Sequence, residues 1–426
     1  MASGGLKTKR VDVTTQYLDL FANLIEGSDG GKREFLEIGR LAGNFPAASL
    51  GGSGHVAGPD SISVWCSNDY LGMGQHPAVL EAVKDAVDKY GAGAGGSRNI
   101  GGTNHYHVLL ENELAALHGK DDALLFTSGY TANDGALSVI AGRMEGCIVF
   151  SDALNHASII DGLRHSRAQK QIFRHNDPAH LEELIAAADP DAPKLIVAES
   201  VYSMNGDIAP LAELSDIAKR HGAMTYLDEV HAVGMYGPQG AGIAARDGIA
   251  DDFTVIMGTL AKGFGTTGGY IAGPAEVIEA VRMFSRSFIF TTALPPALAA
   301  GATAAVRHLR TSEAEREQLW SNAQLMHRLL NERGIPFISD QTHIVSVLVR
   351  DEAVCKRMST LLLDQHGIYV QAINAPSVRV GEEILRVAPG AVHTADDVHG
   401  FVDALDQVWK ETGHPRMPAT QAAPAH

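Results

Sequence analysis

Short apolar runs alternate with longer amphipathic stretches through the middle of this 426-residue chain. The runs are rich in β-branched residues: DALLF, CIVFS, QIF, KLIVAES, MTYLDE and TVIMGTL. The stretches between them, such as LEELIAAA and LAELSDIAKRHG, repeat their apolar positions at helical spacing. This alternation predicts an α/β fold with a mainly parallel sheet that helices cover on both faces. A further run, GGYIAG, predicts one more strand, antiparallel and at the edge of the sheet.

Helical patterns frame this region on both sides. TTQYLDLFANLIEG and HPAVLEAVKDAVDKY precede it, and LPPALAAGATAAVRHL follows it, with Pro77 and Pro296 near the starts of their helices. Three more strands are expected from HIVSVLV, GIYVQAI and EILRVA. We therefore expect an N-terminal segment over residues 1–60, a large domain over 61–300, a smaller α+β domain over 301–412 and a disordered tail over 413–426.

Composition narrows the class of protein. Apolar residues make up 45% of the chain and charged residues 20%, as in ordinary globular proteins. A net charge of −16 argues against a nucleic-acid partner, because no basic field exists to displace counterions. The three cysteines are far apart, no Cys/His cluster has zinc-ligand spacing, and we expect no metal. The start MASGGLKTKRVDV lacks a signal-peptide pattern and no stretch reaches membrane-span length, so we expect a cytoplasmic protein with no membrane partner.

Polar residues end several of the apolar runs, and ligands of open α/β sheets bind at the carboxyl ends of the strands. The ends are Ser151–Asp152, Glu199–Ser203, Asp228–His231 and Thr259–Lys262. Pyridoxal 5′-phosphate (PLP) needs a lysine amine to form a Schiff base and a carboxylate to keep its pyridine nitrogen protonated. Asp228 and Lys262 can supply both from opposite sides of one crevice. A solvated surface pair is the alternative, but Lys262 lies in the uncharged, glycine-rich string GTLAKGFGTTGG.

The phosphate of such a cofactor needs backbone N–H groups at a helix start, together with hydroxyls. Thr127-Ser128-Gly129-Tyr130 lies between DALLF and a helical pattern, and Thr259 is a second hydroxyl. Helix capping by Thr or Ser is a compatible alternative. Two G-x-G-x-x-G strings, at Gly91/Gly93/Gly96 and Gly263/Gly265/Gly268, stand in the wrong strand and helix context for dinucleotide binding. No Walker A motif and no G-x-S-x-G elbow occurs.

Several strings resemble the α-oxoamine synthases: NDYLGM, GSRNIGGT, LNHASIIDG, RHND, ESVYSMNGDIAP, LDEVHAVGMYG and GTLAKGFGTTGGY. The resemblance runs from about Arg33 to Arg386 with the motifs in order. It implies an aspartate-aminotransferase-like (fold-type I) PLP transferase that joins an amino acid to an acyl-CoA and releases CO₂. Within the family the chain most resembles the branch that condenses glycine with succinyl-CoA to give 5-aminolevulinate.

The resemblance assigns cofactor roles to individual residues. Lys262 matches the Schiff-base lysine, Asp228 the partner of the pyridinium nitrogen, and His156 the histidine that stacks on the ring. Ser203 and His231 match groups around the ring hydroxyl, and the backbone of Gly129 and Tyr130, with Thr259, would hold the phosphate. Thr291 and Thr292 match residues that reach the cofactor of a second subunit, which implies a homodimer with a shared active site.

The substrate roles follow from the same resemblance. Arg386 matches the arginine that pairs with the amino-acid carboxylate, and Arg33 the one that binds the distal carboxylate of succinyl-CoA. Asn99 and Ser377 would lie close to that carboxylate, and Ser151 and Lys170 toward CoA. One residue departs from the pattern: Ser97 stands where the glycine-specific branch carries Thr, and a missing methyl near Cα weakens selection for glycine by about 1–3 kcal/mol.

Alternatives remain open at this point. Another member of the family would use a different amino acid or acyl-CoA and make a biotin precursor, a sphingoid base or 2-amino-3-oxobutyrate. A PLP aldolase or transaminase would turn over without any acyl-CoA. A non-catalytic protein with the same fold would not need the complete set of Lys262, Asp228, His231 and Arg386.

Overall fold

The computed structural model describes residues 13–26, 35–51 and 61–416. Arg33 and residues 417–426 of the predicted tail lie outside the described residues. Within these ranges the helices are α1 (Val13–Glu26), α2 (Pro77–Tyr90), α3 (His105–His118), α4 (Gly129–Arg143), α5 (Ala157–Ser166), α6 (Pro178–Ala186), α7 (Leu211–His221), α8 (Ile243–Arg246), α9 (Ala275–Phe284), α10 (Arg286–Ile289), α11 (Pro296–Leu309), α12 (Ala314–Arg333), α13 (Glu352–His366) and α14 (Ala395–Thr412).

The strands in the same ranges are β1 (Ile38–Gly39), β2 (Ala47–Leu50), β3 (Ser61–Val64), β4 (Asp122–Phe126), β5 (Ile148–Asp152), β6 (Gln169–Phe173), β7 (Lys194–Glu199), β8 (Met224–Asp228), β9 (Val255–Thr259), β10 (Gly269–Gly273), β11 (Val345–Leu348), β12 (Ile368–Tyr369), β13 (Gln371–Ile373) and β14 (Ile384–Val387). Every apolar run of the sequence analysis therefore contains or forms a strand. None of the described helices is both long enough and apolar enough to cross a bilayer.

The central sheet has the strand order β4-β10-β9-β8-β7-β5-β6. Strands β5 to β9 pair in parallel, which confirms the expected parallel arrangement. Strand β10 is antiparallel as expected, but its placement at the edge was wrong, because it pairs with both β4 and β9. All five residues of β10 are buried, and Gly258 on β9 leaves the room that the ring of Tyr270 fills. A strand buried on both faces belongs in the interior of a sheet.

Helices cover the sheet on both faces. Alternate strand residues point to opposite sides, so Leu124 and Phe126 pack with α4, α5 and α9, whereas Leu125 packs with α3, α7 and α11. Because β5, β7, β8 and β9 pair in parallel, their carboxyl ends lie on the same side of the sheet. The polar residues that end those strands are therefore brought to a common crevice.

The C-terminal part builds a second, smaller sheet in the order β11-β14-β13, all antiparallel. The predicted strand GIYVQAI is divided: Ile368–Tyr369 pairs with β3 in a separate four-stranded sheet, whereas Gln371–Ile373 pairs with β14. Trp65, from the beginning of the predicted large domain, packs in the apolar cluster of the C-terminal part. The domain division at residue 300 stays a prediction.

Candidate active site

A continuous chain of polar contacts begins at Lys262, three residues after β9. Lys262 Nζ lies 2.8 Å from Nε2 of His231, and Nδ1 of His231 lies 3.0 Å from the hydroxyl of Tyr70. That hydroxyl accepts a 3.0 Å hydrogen bond from the guanidinium of Arg386 on β14. The structure thus joins three predicted residues through Tyr70, which lies in the string NDYLGM and to which the sequence alone assigned no role.

The surroundings favour an uncharged amine on Lys262. Burial lowers the pKa of Lys262 to about 7; Arg386 lowers it further, while Asp228 and Glu199 oppose the shift. Burial, followed by the charge of Lys262, holds the pKa of His231 well below its usual range. Near neutral pH a substantial fraction of Lys262 therefore carries a free electron pair, which a nucleophile or a general base requires.

Asp228 ends β8 and is 3% exposed. Its two carboxylate oxygens accept hydrogen bonds of 2.8 Å, one from Nδ2 of Asn133 and one from the backbone N–H of Val230. Burial raises the pKa of Asp228, and the hydrogen bond from Asn133 is the strongest opposing influence. Asn133 is held in turn by the hydroxyl of Tyr226 at 2.9 Å. A buried carboxylate fixed in this way can stabilise a cationic group brought beside it.

His156 caps the N-terminus of α5, close to Asp228. Its backbone N–H donates a 2.6 Å hydrogen bond to Glu199, and its Nδ1 lies 2.7 Å from the hydroxyl of Ser158. Burial lowers the pKa of the His156 ring. Burial, together with the charge of Asp228, raises the pKa of Glu199 well above its usual range. Glu199 was noted in the sequence only as a strand end, and the structure shows that it fixes the backbone of His156.

The start of α4 faces the end of β9. Ser128 caps the helix by accepting a 3.1 Å hydrogen bond from the backbone N–H of Thr131. A Cβ atom at Gly129 would lie 3.2 Å from Met257 and 3.5 Å from the hydroxyl of Thr259, so glycine permits this close approach. The Thr259 hydroxyl donates to the carbonyl of Gly268 at 2.9 Å. The exposed Tyr130 donates its phenol proton to Asp161.

Arg386 is a buried cation on β14. Its Nε donates to the backbone carbonyl of Ser203 at 2.8 Å, and one terminal nitrogen donates to Oδ1 of Asn68 at 3.3 Å. Within the described part of the chain, no carboxylate forms an ion pair with Arg386. A buried guanidinium without an acidic partner is suited to bind the carboxylate of a ligand.

Other predicted residues do not join this network within the described ranges. Ser151 is buried and accepts a hydrogen bond from Asn155, and Lys170 is exposed on the edge strand β6. Asn99 and Ser377 are exposed, whereas Ser97 is half-buried ahead of a one-turn helical segment. Thr291 and Thr292 line a small cavity together with Arg98 and Thr127.

A further polar group lies beyond Glu199, at the end of β5. The ring nitrogens of His175 contact Asp152 at 2.9 Å and Asp207 at 2.8 Å. Burial alone would lower the pKa of His175, but the hydrogen bonds to the two carboxylates outweigh it and raise the pKa to about 9. His175 is therefore an imidazolium at neutral pH and links β5 to the loop after β7.

This imidazolium makes folding stability depend on pH. Because its pKa rises from an ordinary 6.5 to about 9, its contribution is complete below pH 6.5 and is lost as the pH rises through 9. We expect His175→Gln to cost roughly 3 kcal/mol at pH 6.5 and much less at pH 9.5. Denaturant unfolding of both proteins at the two pH values measures this difference. A cost that does not change with pH would contradict the assignment.

Several known proteins are similar to this chain over most of its length. The family model for class I and II aminotransferases matches residues 61–405. A curated 5-aminolevulinate synthase from Rhizobium meliloti is 55% identical over 392 residues, which cover 91% of this chain and 96% of the relative. The 5-aminolevulinate synthase 2 of Cereibacter sphaeroides is 51% identical, covering 90% of this chain and 94% of its own length.

A solved structure with a bound ligand is also similar. A serine palmitoyltransferase from S. paucimobilis, with a bound adduct of PLP and myriocin, is 33% identical to the chain with a TM-score of 0.84. The match covers 96% of this chain and 100% of the serine palmitoyltransferase chain. The similarity therefore extends over nearly the whole chain.

Proposed function

We propose that this chain, which belongs to the class I and II aminotransferase family, acts as a 5-aminolevulinate synthase. In that reaction glycine condenses with succinyl-CoA to give 5-aminolevulinate, CoA and CO₂. Its fold is that of the fold-type I PLP transferases. Among the matches described above, the glycine-using relatives are 51–55% identical, against 33% for the serine palmitoyltransferase. This difference favours the proposed branch over the other α-oxoamine synthases.

The cofactor is PLP, and the residues present fit it. The amine of Lys262 would hold it covalently, and Asp228, a buried carboxylate without a bonded cation among the described residues, would pair with its pyridinium nitrogen. The start of α4, where glycine at position 129 leaves the helix N-terminus open toward Thr259, would receive the phosphate. When bound, PLP withdraws electrons from the Cα atom of the amino acid.

The observation that carries the proposed chemistry is the contact chain Lys262–His231–Tyr70–Arg386. Arg386 would bind the glycine carboxylate through two parallel hydrogen bonds, with Tyr70 and Asn68 fixing the guanidinium. Lys262, with a pKa of about 7, would then take the proton from the glycine Cα atom. The neutral His231, 2.8 Å from the amine, orients Lys262 and can donate a hydrogen bond to the thioester carbonyl.

The choice of succinyl-CoA depends on residues whose roles stay proposals. Arg33, outside the described residues, would pair with the distal carboxylate, and Asn99 and Ser377 would lie beside it. Ser151 and Lys170 would face CoA. Ser97 in place of Thr is expected to relax selection among small amino acids.

Removal of the Arg33 charge tests the acyl donor. We expect Arg33→Leu to raise the KM for succinyl-CoA about 10- to 150-fold, because a hydrogen bond to a charged group contributes roughly 1.5–3 kcal/mol. Turnover with glycine is measured against succinyl-, acetyl-, butyryl- and octanoyl-CoA, scoring released CoA and product mass. The wild-type protein should prefer succinyl-CoA.

Lys32→Leu is the matched control, because it removes the neighbouring cation and should leave the preference unchanged. Weak turnover of acetyl- or butyryl-CoA should be equal in wild type and Arg33→Leu, since these donors offer no distal carboxylate. An unchanged KM for succinyl-CoA in Arg33→Leu would refute the role of Arg33. Wild-type preference for another acyl-CoA would refute the substrate while leaving the family intact.

A homodimer with shared active sites is part of the proposal. Exposed apolar side chains of the single chain support it: α1 presents Tyr17, Leu18, Phe21 and Leu24, which are 59–64% exposed. Phe290, beside the predicted cross-subunit residues Thr291 and Thr292, is 75% exposed. Apolar surface of this extent is usually covered by a partner.

The cytoplasmic location expected from the sequence also stays a prediction.

A further inference from the structure

We propose that His76, His308 and Glu315 form a binding site for a divalent transition-metal ion of the zinc type, separate from the active site. Each of the three side chains offers one ligand atom, and these atoms lie within 4.8 Å of one another. None of the three takes part in the proposed condensation. No metal was expected from the sequence because no Cys/His cluster has zinc-ligand spacing, and His76 lies far along the chain from His308 and Glu315.

Three different helices bring the ligands together. His76 immediately precedes α2, His308 lies in the last turn of α11, and Glu315 lies in the first turn of α12. Nε2 of His308 is 2.6 Å from a carboxylate oxygen of Glu315, and the two imidazole rings are 4.3 Å apart between centroids with an interplanar angle of 39°. The packing of α2 against α11 therefore places a second histidine on an existing histidine–carboxylate pair.

The donor set is the one that three-ligand zinc sites use. Two imidazoles and one carboxylate, with a fourth position open to water, bind Zn²⁺ at about 2.0–2.2 Å. Tetrahedral ligands at that distance lie about 3.3 Å apart. The His308–Glu315 pair, now 2.6 Å apart, would open by less than about 1 Å, and ligand atoms that lie up to 4.8 Å apart would close toward the ion. All three side chains are only partly buried, so they can make this adjustment and an ion can enter from solvent.

A neighbouring group already orients one of the ligands, and a second ligand is only weakly held. The hydroxyl of Ser312 donates to the second carboxylate oxygen of Glu315 at 2.6 Å, as outer partners of metal-bound carboxylates do. The backbone N–H of Ala78 donates to Nδ1 of His76 at 3.3 Å, which is long for a hydrogen bond. The ring of His76 can give up this bond at little cost when it changes tautomer to bind a metal through Nε2.

A metal ion at this site would stabilise the folded chain by connecting three of its segments. An ion held there connects the segment before α2 to the ends of α11 and α12. That segment also touches the loop that carries Lys262, because Gly74 and Gly265 approach so closely that a side chain on Gly265 would collide with the backbone of Gly74. A bound ion stabilises the folded state because the unfolded chain does not assemble the three ligands.

The experiment measures Zn²⁺ binding by the chelator-treated, PLP-loaded full chain, by competition with a chromophoric indicator and by thermal unfolding. We expect one Zn²⁺ per chain and a rise in Tm. His308→Gln and Glu315→Gln should each weaken binding at least about tenfold and remove the Tm rise. Because His308→Gln and Glu315→Gln each remove one ligand, either variant alone can test the site if the other folds poorly.

His221→Gln is the matched control. His221 forms a similar pair with Glu182, at 2.8 Å, but no second histidine joins it among the described residues. Its variant should bind Zn²⁺ as the wild type does. The proposal would be overturned if the wild type bound no Zn²⁺ at micromolar concentration. Equal binding by the wild type, His308→Gln and Glu315→Gln would overturn it as well, since the ion would then be held elsewhere.

Discussion

Lys262→Ala is expected to abolish condensation of glycine with succinyl-CoA, with kcat falling by about four orders of magnitude or more. The change removes both the covalent attachment of PLP and the group that takes the Cα proton, and general base catalysis alone contributes 10²- to 10⁴-fold. Released CoA measures turnover. The visible absorbance of lysine-linked PLP should disappear in the same variant.

Lys262→Arg separates covalent chemistry from charge. Arginine places a permanent cation beside His231, because it stays protonated in proteins, and it can neither hold PLP covalently nor act as a base. We expect it to be as inactive as Lys262→Ala. If Lys262→Arg kept more than about a hundredth of the wild-type kcat, the charge rather than the amine would matter, and the assignment of Lys262 would be wrong.

Asp228→Asn is expected to have the second largest effect. Removing one partner of a buried charge pair costs about 3–5 kcal/mol, which corresponds to a loss of about 10²- to 10³-fold in kcat or more. The amide of asparagine keeps one oxygen for Asn133 or Val230 but carries no charge to hold a pyridine nitrogen protonated. Steady-state kinetics with saturating PLP and glycine measure kcat, and the absorption spectrum of the bound cofactor reports its changed protonation.

Glu229→Gln is the matched control for this prediction. Glu229 follows Asp228 directly and is also fully buried, and burial raises its pKa to about 7. Its oxygens accept hydrogen bonds from Ser200 and from the first backbone N–H groups of α8, not from groups at the cofactor position. We expect the glutamine to alter stability while kcat stays within a few-fold. Equal losses of kcat in both variants would mean that Asp228 acts only on folding.

Much of the active site could be predicted because its residues lie at strand ends. Asp228 follows MTYL and Lys262 follows TVIMGTL, and the carboxyl ends of parallel strands meet at one edge of a sheet. The roles of Tyr70, Asn133 and Glu199 could not be predicted in the same way. Tyr70 bridges Arg386 and His231, which are far apart along the chain, and no local pattern states which side chains will meet there.

The fold also has features that local sequence predicts and features that it does not. Every apolar run became strand because length and composition favour that state locally. The position of β10 inside the sheet and the splitting of GIYVQAI between two sheets were not visible, because pairing depends on which edges are available after packing.

The sequence by itself determined the order of strands and helices and the cofactor class, and it singled out Lys262 and Asp228 as the candidates to attach and polarise the cofactor. These follow from local periodicity and from motifs whose residues are close along the chain. Only the tertiary structure decided that Lys262, His231, Tyr70 and Arg386 form one network, that Glu199 holds His156, and that His76, His308 and Glu315 converge. Such contacts join distant segments, and the packing of helices on the sheet, not local propensity, selects them.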